Sequence, residues 1–422
     1  MTYIDPSPAP GKPAYGRRVP VARPCPCCGE VLAFTDVVSI AIFKPDRYPG
    51  DDDLRVRTCD RCGMGYSDDG VTQGALDEYY AHDSKYADLA IYASVTDAAQ
   101  IASEAPWERE RSESLMRFAE PHMRRDGVIL DVGCSTGTAL SILRDQGYQI
   151  LGGIDPLATA VVVAREARGL NVIEGRFGTP HPNGRSDVVI ISHVLEHVLD
   201  VRDAIASTAA AMTLGGHVVI EVPDASRFAD HVYAPLQDFN TEHINHFSLS
   251  HLNALMASQG FRALELEHAL VKSGPHHVYP VARGVWLYEG VAVDPLTIAD
   301  HSGAHHAALV RYVDVSAALF ETIDERVSSG LGADNFVLWG AGQFAMKLMK
   351  RDVFPMGQCL GIVDSSPSRI GLSLAGMRVM SPDAAAAMHP TVILPGSVFG
   401  AESIQRTVDA LGMNARVIQL AG

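Results

Sequence analysis

The sequence has no uninterrupted apolar run long enough to cross a bilayer. Its first residues, Met1-Thr-Tyr-Ile-Asp-Pro-Ser-Pro-Ala-Pro10, hold prolines where a signal peptide would hold an apolar core. A cytoplasmic location is therefore the expectation, with no membrane partner. An excess of positive charge is also missing. The net charge is −16 over 422 residues, which argues against nonspecific binding to nucleic acid or an anionic membrane. Cysteines spread through the chain are missing too. Five of the seven present fall within residues 25–62, a clustering which in a reducing compartment points to metal binding instead of disulfides. What remains is a chain that is 47% hydrophobic, ordinary for a globular protein and long enough for about two or three domains.

Residues 1–20 read as a leader. Two Cys-x-x-Cys-Gly turns follow, Cys25-Pro-Cys-Cys28-Gly29 and Cys59-Asp-Arg-Cys62-Gly63. Each places two thiolates on a tight turn, and two such turns supply four ligands to a tetrahedral Zn²⁺. Cys25, Cys28, Cys59 and Cys62 are the expected ligands. Cys27 is a spare thiol that could replace Cys28, although only Cys25 and Cys28 have the two-residue spacing. Residues 31–40 and 54–58 fit a hairpin between the turns. Four thiolates leave no open coordination position, so the expected zinc is structural; the rival is a redox or disulfide role.

The stretch Val128-Ile-Leu-Asp-Val-Gly-Cys-Ser-Thr-Gly137 reads as a buried strand, a glycine turn and a helix start. Gly133 and Gly137 allow close backbone approach to a ligand. A second strand over 148–154 ends in Asp155, placed to accept both hydroxyls of a ribose. The form Asp-x-Gly-x-x-x-Gly differs from the Gly-x-Gly-x-x-Gly of nicotinamide sites. Asp131 puts negative charge beside the turn, which suits a cationic ligand without phosphate. Here the chain resembles the class I S-adenosylmethionine (SAM) methyltransferases. The resemblance implies SAM contacts from Asp131, Gly133, Cys134, Ser135, Thr136, Gly137, Asp155 and Pro156.

Downstream, residues 158–168 read as helix and 171–174 as strand, with Phe177 in the following turn beside the adenine or else in the core. Ser186–Ser192 is a strand that runs into His193-Val-Leu-Glu-His197-Val-Leu-Asp200, similar to the fourth methyltransferase motif. Open α/β sheets bind ligands at the carboxyl ends of their strands, so His193 is expected on the SAM side and His197 in catalysis or in support of it. Gly216–Pro223 is a further strand, after a turn at Leu214-Gly-Gly216. The segment Asn240-Thr-Glu242-His243-Ile-Asn-His246-Phe-Ser248 is dense in acid–base groups. Glu242 beside His243 is expected to tune that imidazole toward basicity, or only to brace the turn. Ser250 reads as the N-cap of a helix over 251–259. Residues 74–125 read largely as helix, carrying Tyr79, Tyr80 and Tyr86 either as a lid on the sheet or with one tyrosine reaching the SAM pocket.

Residues 285–300 read as a linker and 304–326 as a helix with His305 and His306 facing solvent. A second nucleotide-type unit opens at Asn335-Phe-Val-Leu-Trp-Gly340-Ala-Gly342-Gln-Phe-Ala345, followed by a strand ending in Asp364 and a later strand near Val392. Its role is open between nucleotide or phosphate binding, pure structure, and NAD redox.

Across residues 23–420 this arrangement resembles the sugar C-methyltransferases, which methylate C3 of 4-keto-deoxysugars carried on a nucleoside diphosphate. The Glu-His-x-x-x-Phe-Ser element carries most of the likeness. The resemblance implies His243 as the base, with Glu242 its neighbour and His197 a second functional histidine. It also implies substrate contacts from Asn240, Tyr80, Tyr86, His246, Gly340 and Gly342. The chain departs from the family at Asn240 and Thr241, which stand where the family has tyrosine and histidine. It departs again at His193, where the family usually has asparagine, and in the loop near 272–277. The expected fold is α/β: a zinc-binding unit over 1–70, a Rossmann-like methyltransferase core over 71–285 and a C-terminal Rossmann-like unit over 286–422. The expected activity is SAM-dependent methylation of a small carbonyl substrate, such as a nucleotide-linked keto sugar, through an enolate. O- or N-methylation of another metabolite, or a non-catalytic SAM- or nucleotide-binding role, are the alternatives.

Overall fold

The computed structural model describes residues 23–44, 48, 53–76, 106–274, 277–299, 302–366 and 369–421. The leader and Tyr79, Tyr80 and Tyr86 lie outside the described residues. The hairpin expected between the cysteine turns is β1 (Phe34–Ala41) and β2 (Asp53–Cys59), with a bulge between Asp36 and Val38. β3 (Gly65–Ser67) extends it, antiparallel to β2.

The next sheet is built from β4 (Val128–Val132), β5 (Ile150–Asp155), β6 (Val172–Glu174), β7 (Ser186–Ser192) and β8 (Met212–Pro223), all parallel. β9 (Asn245–His246) leaves this unit and pairs with β3. β10 (Phe261–Lys272) and β11 (Val278–Tyr288) complete the sheet in the order β10-β11-β8-β7-β4-β5-β6. β11 runs antiparallel to β8, and β10 antiparallel to β11 at the edge. This is the expected Rossmann-like methyltransferase core. The central strands are apolar on successive residues because both faces are covered. Along β7, Val189 and Ile191 pack with Val201 and Ile205, whereas Val188 and Ile190 pack with Leu115, Met116, Ile142 and Leu143.

Three boundaries differ from the sequence reading. Val285–Tyr288 are the end of β11, not linker. Leu214-Gly-Gly216 lies inside β8, where a register shift opposite Ser186–Val188 and the left-handed Gly215 (φ 84°) absorb the irregularity. The cap of helix Leu249–Ser258 is Ser248, whose hydroxyl accepts from the His251 N–H; Ser250 is already in the first turn.

The last sheet contains β12 (Phe336–Trp339), β13 (Cys359–Val363), β14 (Ser373–Leu374), β15 (Met377–Met380), β16 (Val392–Pro395) and β17 (Arg416–Val417), in the order β14-β15-β13-β12-β16-β17. All its pairings are parallel except that of β14 with β15. Helix Ala304–Leu331 joins it to the rest of the chain. Leu309, Tyr312, Phe320, Ile323, Val327 and Leu331 form its buried stripe at helical spacing. Neither histidine at its start is simply solvated. His305 is buried, with Nε2 2.9 Å from the His246 carbonyl, and His306 Nδ1 lies 2.8 Å from Thr58 Oγ1.

The units share one apolar cluster, which runs from Ile40, Leu54 and Val56 through Phe228 and Phe239 to Leu309, Phe336 and Leu338. Arg23 stitches the same seam. Its buried guanidinium donates to the carbonyls of Ser67 and Ile244 at 3.0 Å each, to Leu199 at 2.9 Å and to Asn245 Oδ1 at 2.6 Å. Arg23→Met leaves these acceptors buried without a donor. The expected loss is about 3 kcal/mol of stability, read as a lower urea midpoint; an unchanged midpoint would mean that the seam does not depend on this side chain.

Candidate active site

The turn after β4 is stitched to the end of β5. The N–H groups of Gly133 and Cys134 donate to the Ile154 carbonyl at 2.8 and 3.2 Å. The Ser135 N–H donates to Asp155 Oδ2 at 2.7 Å, and the Leu157 N–H to Asp155 Oδ1 at 2.9 Å. Each Asp155 oxygen keeps a lone pair that a ribose hydroxyl can use. Gly133 and Gly137 are left-handed, at φ 76° and 81°. Side-chain packing also demands them, which the ligand argument from sequence does not include. A Cβ on Gly133 would lie 2.3 Å from Val194 Cγ2, and one on Gly137 2.3 Å from Leu170 Cδ1. Cys134 is buried, its sulfur facing Gly153, and Thr136 is buried beside it. Pro156 is exposed, and Phe177 is half-buried against the core.

Asp131 is buried at the end of β4. Burial, reinforced by the charge of Asp155, pushes its carboxyl up to about 7. Asp155 is also raised by burial, against the pull of the Leu157 and Ser135 N–H groups. Two desolvated carboxylates beside the glycine turn disfavour an anionic group there, as in a pyrophosphate, and favour a cationic or hydroxyl-bearing one.

At the carboxyl end of β7 the chain turns sharply. His193 adopts φ 54° and donates its N–H to the Glu221 carbonyl at 2.8 Å. Its ring lies between two buried carboxylates, with Nδ1 3.3 Å from Glu196 Oε1 and Nε2 3.3 Å from Glu221 Oε1. Burial opposes its protonation, but the two acids prevail and raise its pKa. Glu196 is fully buried. Burial favours its neutral form, yet the hydrogen bond from His193, with the neighbouring His197 and the charge of His193 itself, lowers it to about 2. The His197 and His243 rings meet edge-on with centroids 4.9 Å apart. His197 Nδ1 lies 2.9 Å from the Glu242 carbonyl.

His243 is therefore brought to the strand ends beside His197, as expected. Its basicity is not. Burial, aided by the nearby His197, lowers its pKa to about 3, and Glu196 and Glu242 do not offset this. The ring is neutral at physiological pH. Asn240 and His246 correct the reading in another way. Asn240 Oδ1 accepts from the Glu242 and His243 N–H groups at 2.9 Å each, so this side chain holds the loop and is not presented to a substrate. His246 is buried under the cysteine unit, with Nε2 3.1 Å from Ser67 Oγ and its ring edge-on to Phe239.

Glu196, Glu221 and a second buried polar group are the residues that sequence reading alone leaves out. In that group Asp238 accepts from Tyr312 at 2.9 Å and is raised to about 6 by burial. Lys347, also buried, is lowered to about 7 by burial against the pull of Asp238. The available signal was an ionisable residue in an apolar run: Glu221 inside Val218-Val-Ile-Glu-Val-Pro223 and Lys347 inside Phe344-Ala-Met-Lys-Leu348.

In the C-terminal unit the Gly340 turn repeats the logic of the first. The Ala341 N–H donates to Asp364 Oδ2 at 2.8 Å, and Arg369 pairs with the same oxygen at 3.1 Å. Gly340 sits at φ 115° against Gly396, and Arg369 Nη1 lies 3.6 Å from where a Cβ on Gly342 would be.

In the N-terminal unit the four expected sulfurs come together. Cys25 and Cys62 are 3.5 Å apart, Cys28 and Cys59 3.6 Å apart, and none is in a disulfide. Cys27 is not one of these four; its sulfur lies 3.9 Å from the His251 carbonyl.

The sheet order and the glycine turn are those of a Rossmann-like α/β core. Residues 104–266 match the methyltransferase domain family. Over 163 residues the chain is 26% identical to a probable S-adenosylmethionine-dependent methyltransferase of Mycolicibacterium smegmatis, covering 38% of this chain and 61% of that protein. Over 97 residues it is 32% identical to a ubiquinone biosynthesis O-methyltransferase of Rhodopseudomonas palustris, covering 22% of this chain and 38% of that one. The chain thus spans between 38% and 61% of the length of these curated relatives. Among solved structures, N-methyltransferase NodS of Bradyrhizobium japonicum with S-adenosyl-L-homocysteine aligns at 17% identity and a TM-score of 0.36, over 49% of this chain and 99% of that one.

The raised Asp131 carboxyl gives a pH test. A folded-state value above the ordinary range means that the ionised form is disfavoured, so the free protein loses stability as pH rises from about 4 to about 7. A cationic ligand prefers the carboxylate. SAM should therefore bind more tightly as pH rises to about 7 and should release a proton on binding at pH 6, seen by calorimetry in buffers of different ionisation enthalpy. Asp131→Asn should abolish the release; equal release in wild type and variant would separate Asp131 from the ligand.

Proposed function

We propose that the chain methylates a small acceptor lying over the carboxyl end of β7, between SAM on the Asp131–Asp155 side and the imidazoles of His197 and His243. The observation that carries this reading is the convergence of His193, Glu196, His197 and His243 at the strand end next to the glycine turn. SAM, when bound, supplies an already activated methyl group; the chain has to make and align the nucleophile. A desolvated neutral imidazole has a lone pair ready to take a proton, and His243 Nδ1 has no hydrogen-bond partner among the described residues. Removal of a proton beside a carbonyl gives an enolate whose carbon attacks the methyl group. Glu196, ionised beside both rings, stabilises the imidazolium that forms.

The carbonyl substrate is a keto sugar or similar metabolite in this reading. The Gly340 turn, with Arg369 beside Gly342, is its candidate phosphate-side contact. O-methylation is the second reading. It is favoured by Asn240, whose side chain is committed to its own loop where the resembled family has a tyrosine, and by the O-methyltransferase among the relatives.

We also assign a structural Zn²⁺ to Cys25, Cys28, Cys59 and Cys62. Tetrahedral zinc with Zn–S bonds of about 2.3 Å separates sulfurs by about 3.8 Å, close to the 3.5 and 3.6 Å observed. The four sulfurs all lie within 4.8 Å of one another. The knuckle turns are formed, with Gly29 and Gly63 left-handed and donating to Cys25 and Cys59 at 2.9 and 2.8 Å.

Incubation with labelled SAM and metabolite extract should give a product whose new methyl is on carbon; a methyl on oxygen would transfer the assignment to the second reading. His243→Gln should lower turnover by about 10²–10⁴-fold and stop solvent exchange of the acceptor's α-proton, with the SAM isotherm unchanged. Full activity in that variant would remove His243 from the chemistry. Removal of zinc should speed hydrogen exchange over residues 25–67 and, through the β3–β9 pairing, over 240–247. Identical exchange in metal-free protein would exclude the structural role.

A further inference from the structure

The polar groups around His243 do more than place a base. His197, His243 and Glu196 each offer one ligand atom, and these atoms lie within 4.8 Å of one another. His197 Nδ1 faces the Glu242 carbonyl at 2.9 Å, which directs Nε2 toward Glu196 Oε1, 3.9 Å away. Glu196 is oriented from behind by His193 at 3.3 Å, itself held by Glu221. A ligand imidazole fixed through its other nitrogen, and a ligand carboxylate fixed by a second polar side chain, are the usual outer shell of a metal centre. Glu196 Oε2 and His243 Nδ1 are buried without a hydrogen-bond partner among the described residues. A carboxylate and two imidazoles thus bring their ligand atoms to one place.

We infer that Glu196, His197 and His243 bind a divalent transition-metal ion at the acceptor site, distinct from the four-cysteine centre. Two imidazoles and one carboxylate match ions such as Zn²⁺, Fe²⁺ or Co²⁺ better than Mg²⁺ or Ca²⁺, which favour all-oxygen shells. Bonds of about 2.1 Å need ligand atoms about 3.0–3.4 Å apart, so closing the site takes a contraction of about an ångström. His197, at the end of the short helical turn Leu195–His197, and His243, in the bend before β9, are both partly buried, so the contraction would come from rotation of the two rings and not from backbone movement. Three protein ligands leave coordination positions open. The acceptor's carbonyl or hydroxyl oxygen can occupy one, and polarisation by the ion then acidifies the adjacent C–H or the O–H itself. This rests on the reading of the cleft as the acceptor site and changes how it works: the His243 lone pair goes to the ion, not to the proton.

The test uses the full-length protein with its thiolate centre filled by zinc, titrated with Co²⁺. The expected result is one further equivalent of Co²⁺, with ligand-field bands but no thiolate charge-transfer band. Glu196→Gln and, as a second variant at a less deeply buried position, His243→Ala should each weaken that binding at least about 30-fold, with the zinc content and the SAM isotherm unchanged. No binding beyond the thiolate centre, or equal binding in both variants, overturns the proposal and leaves His243 as an unmetallated base. A second equivalent of Co²⁺ without methylated product would keep the metal centre and remove the acceptor-site reading.

Discussion

Two residues of β9 hold the three units of this protein in register. Asn245 and His246 pair with Tyr66 and Gly65 of the cysteine unit. Asn245 Nδ2 also donates to the Leu195 carbonyl at 2.6 Å and to Val198 at 2.7 Å, bracketing the turn that carries Glu196 and His197. The His246 carbonyl accepts from His305 at the start of the helix that leads to the C-terminal sheet. Because His243 is only two residues before this strand, the distance between His243 and His197 is set by contacts with all three units. Gly65 shows how tight the junction is: a Cβ there would lie 2.7 Å from Leu309 Cδ1 and 3.2 Å from the His246 Cβ.

That junction creates an unusual electrostatic setting. Water is excluded from Glu196 and largely from the rings around it. In such surroundings a carboxylate survives as an anion only if cationic or hydrogen-bonding partners compensate for lost hydration. His193 and His197 do so for Glu196. His243 is on the other side of the balance, held neutral by desolvation and a neighbouring imidazole. A buried anion beside a neutral imidazole can stabilise positive charge that arrives during reaction or on binding of a cation. Asp131 and Asp155, beside the glycine turn, have the same character, two buried carboxyls both raised by loss of water.

Much of the scaffold was legible because it depends on local rules. The apolar run Val128–Val132, the glycine turn and the acid at 155 prescribe strand, turn and strand from neighbours in sequence. The matched Cys-x-x-Cys-Gly turns similarly announced four converging sulfurs. Local reading erred where two residue types compete for one role. Ser248 and Ser250 can both cap a helix, and the choice falls to Ser248, which has the extended backbone of a cap. Val285–Tyr288 read as linker although they end a strand buried in the sheet, because the pairing with β8 is a contact with residues far earlier in the chain. His305 looked solvated on a helical wheel, yet the wheel cannot show that β9 would dock on it.

The sequence by itself determined the α/β core, the acidic turn at its centre and the residue types at the ends of its strands, since periodicity and turn chemistry act over a few residues. Only tertiary structure decided the electrostatic state of those residues. Whether Glu242 or Glu196 is the carboxylate that matters to His243, and whether the ring becomes more or less basic, depends on how much water the packed units exclude. Desolvation is a property of the whole assembled environment, and no spacing along the chain encodes it.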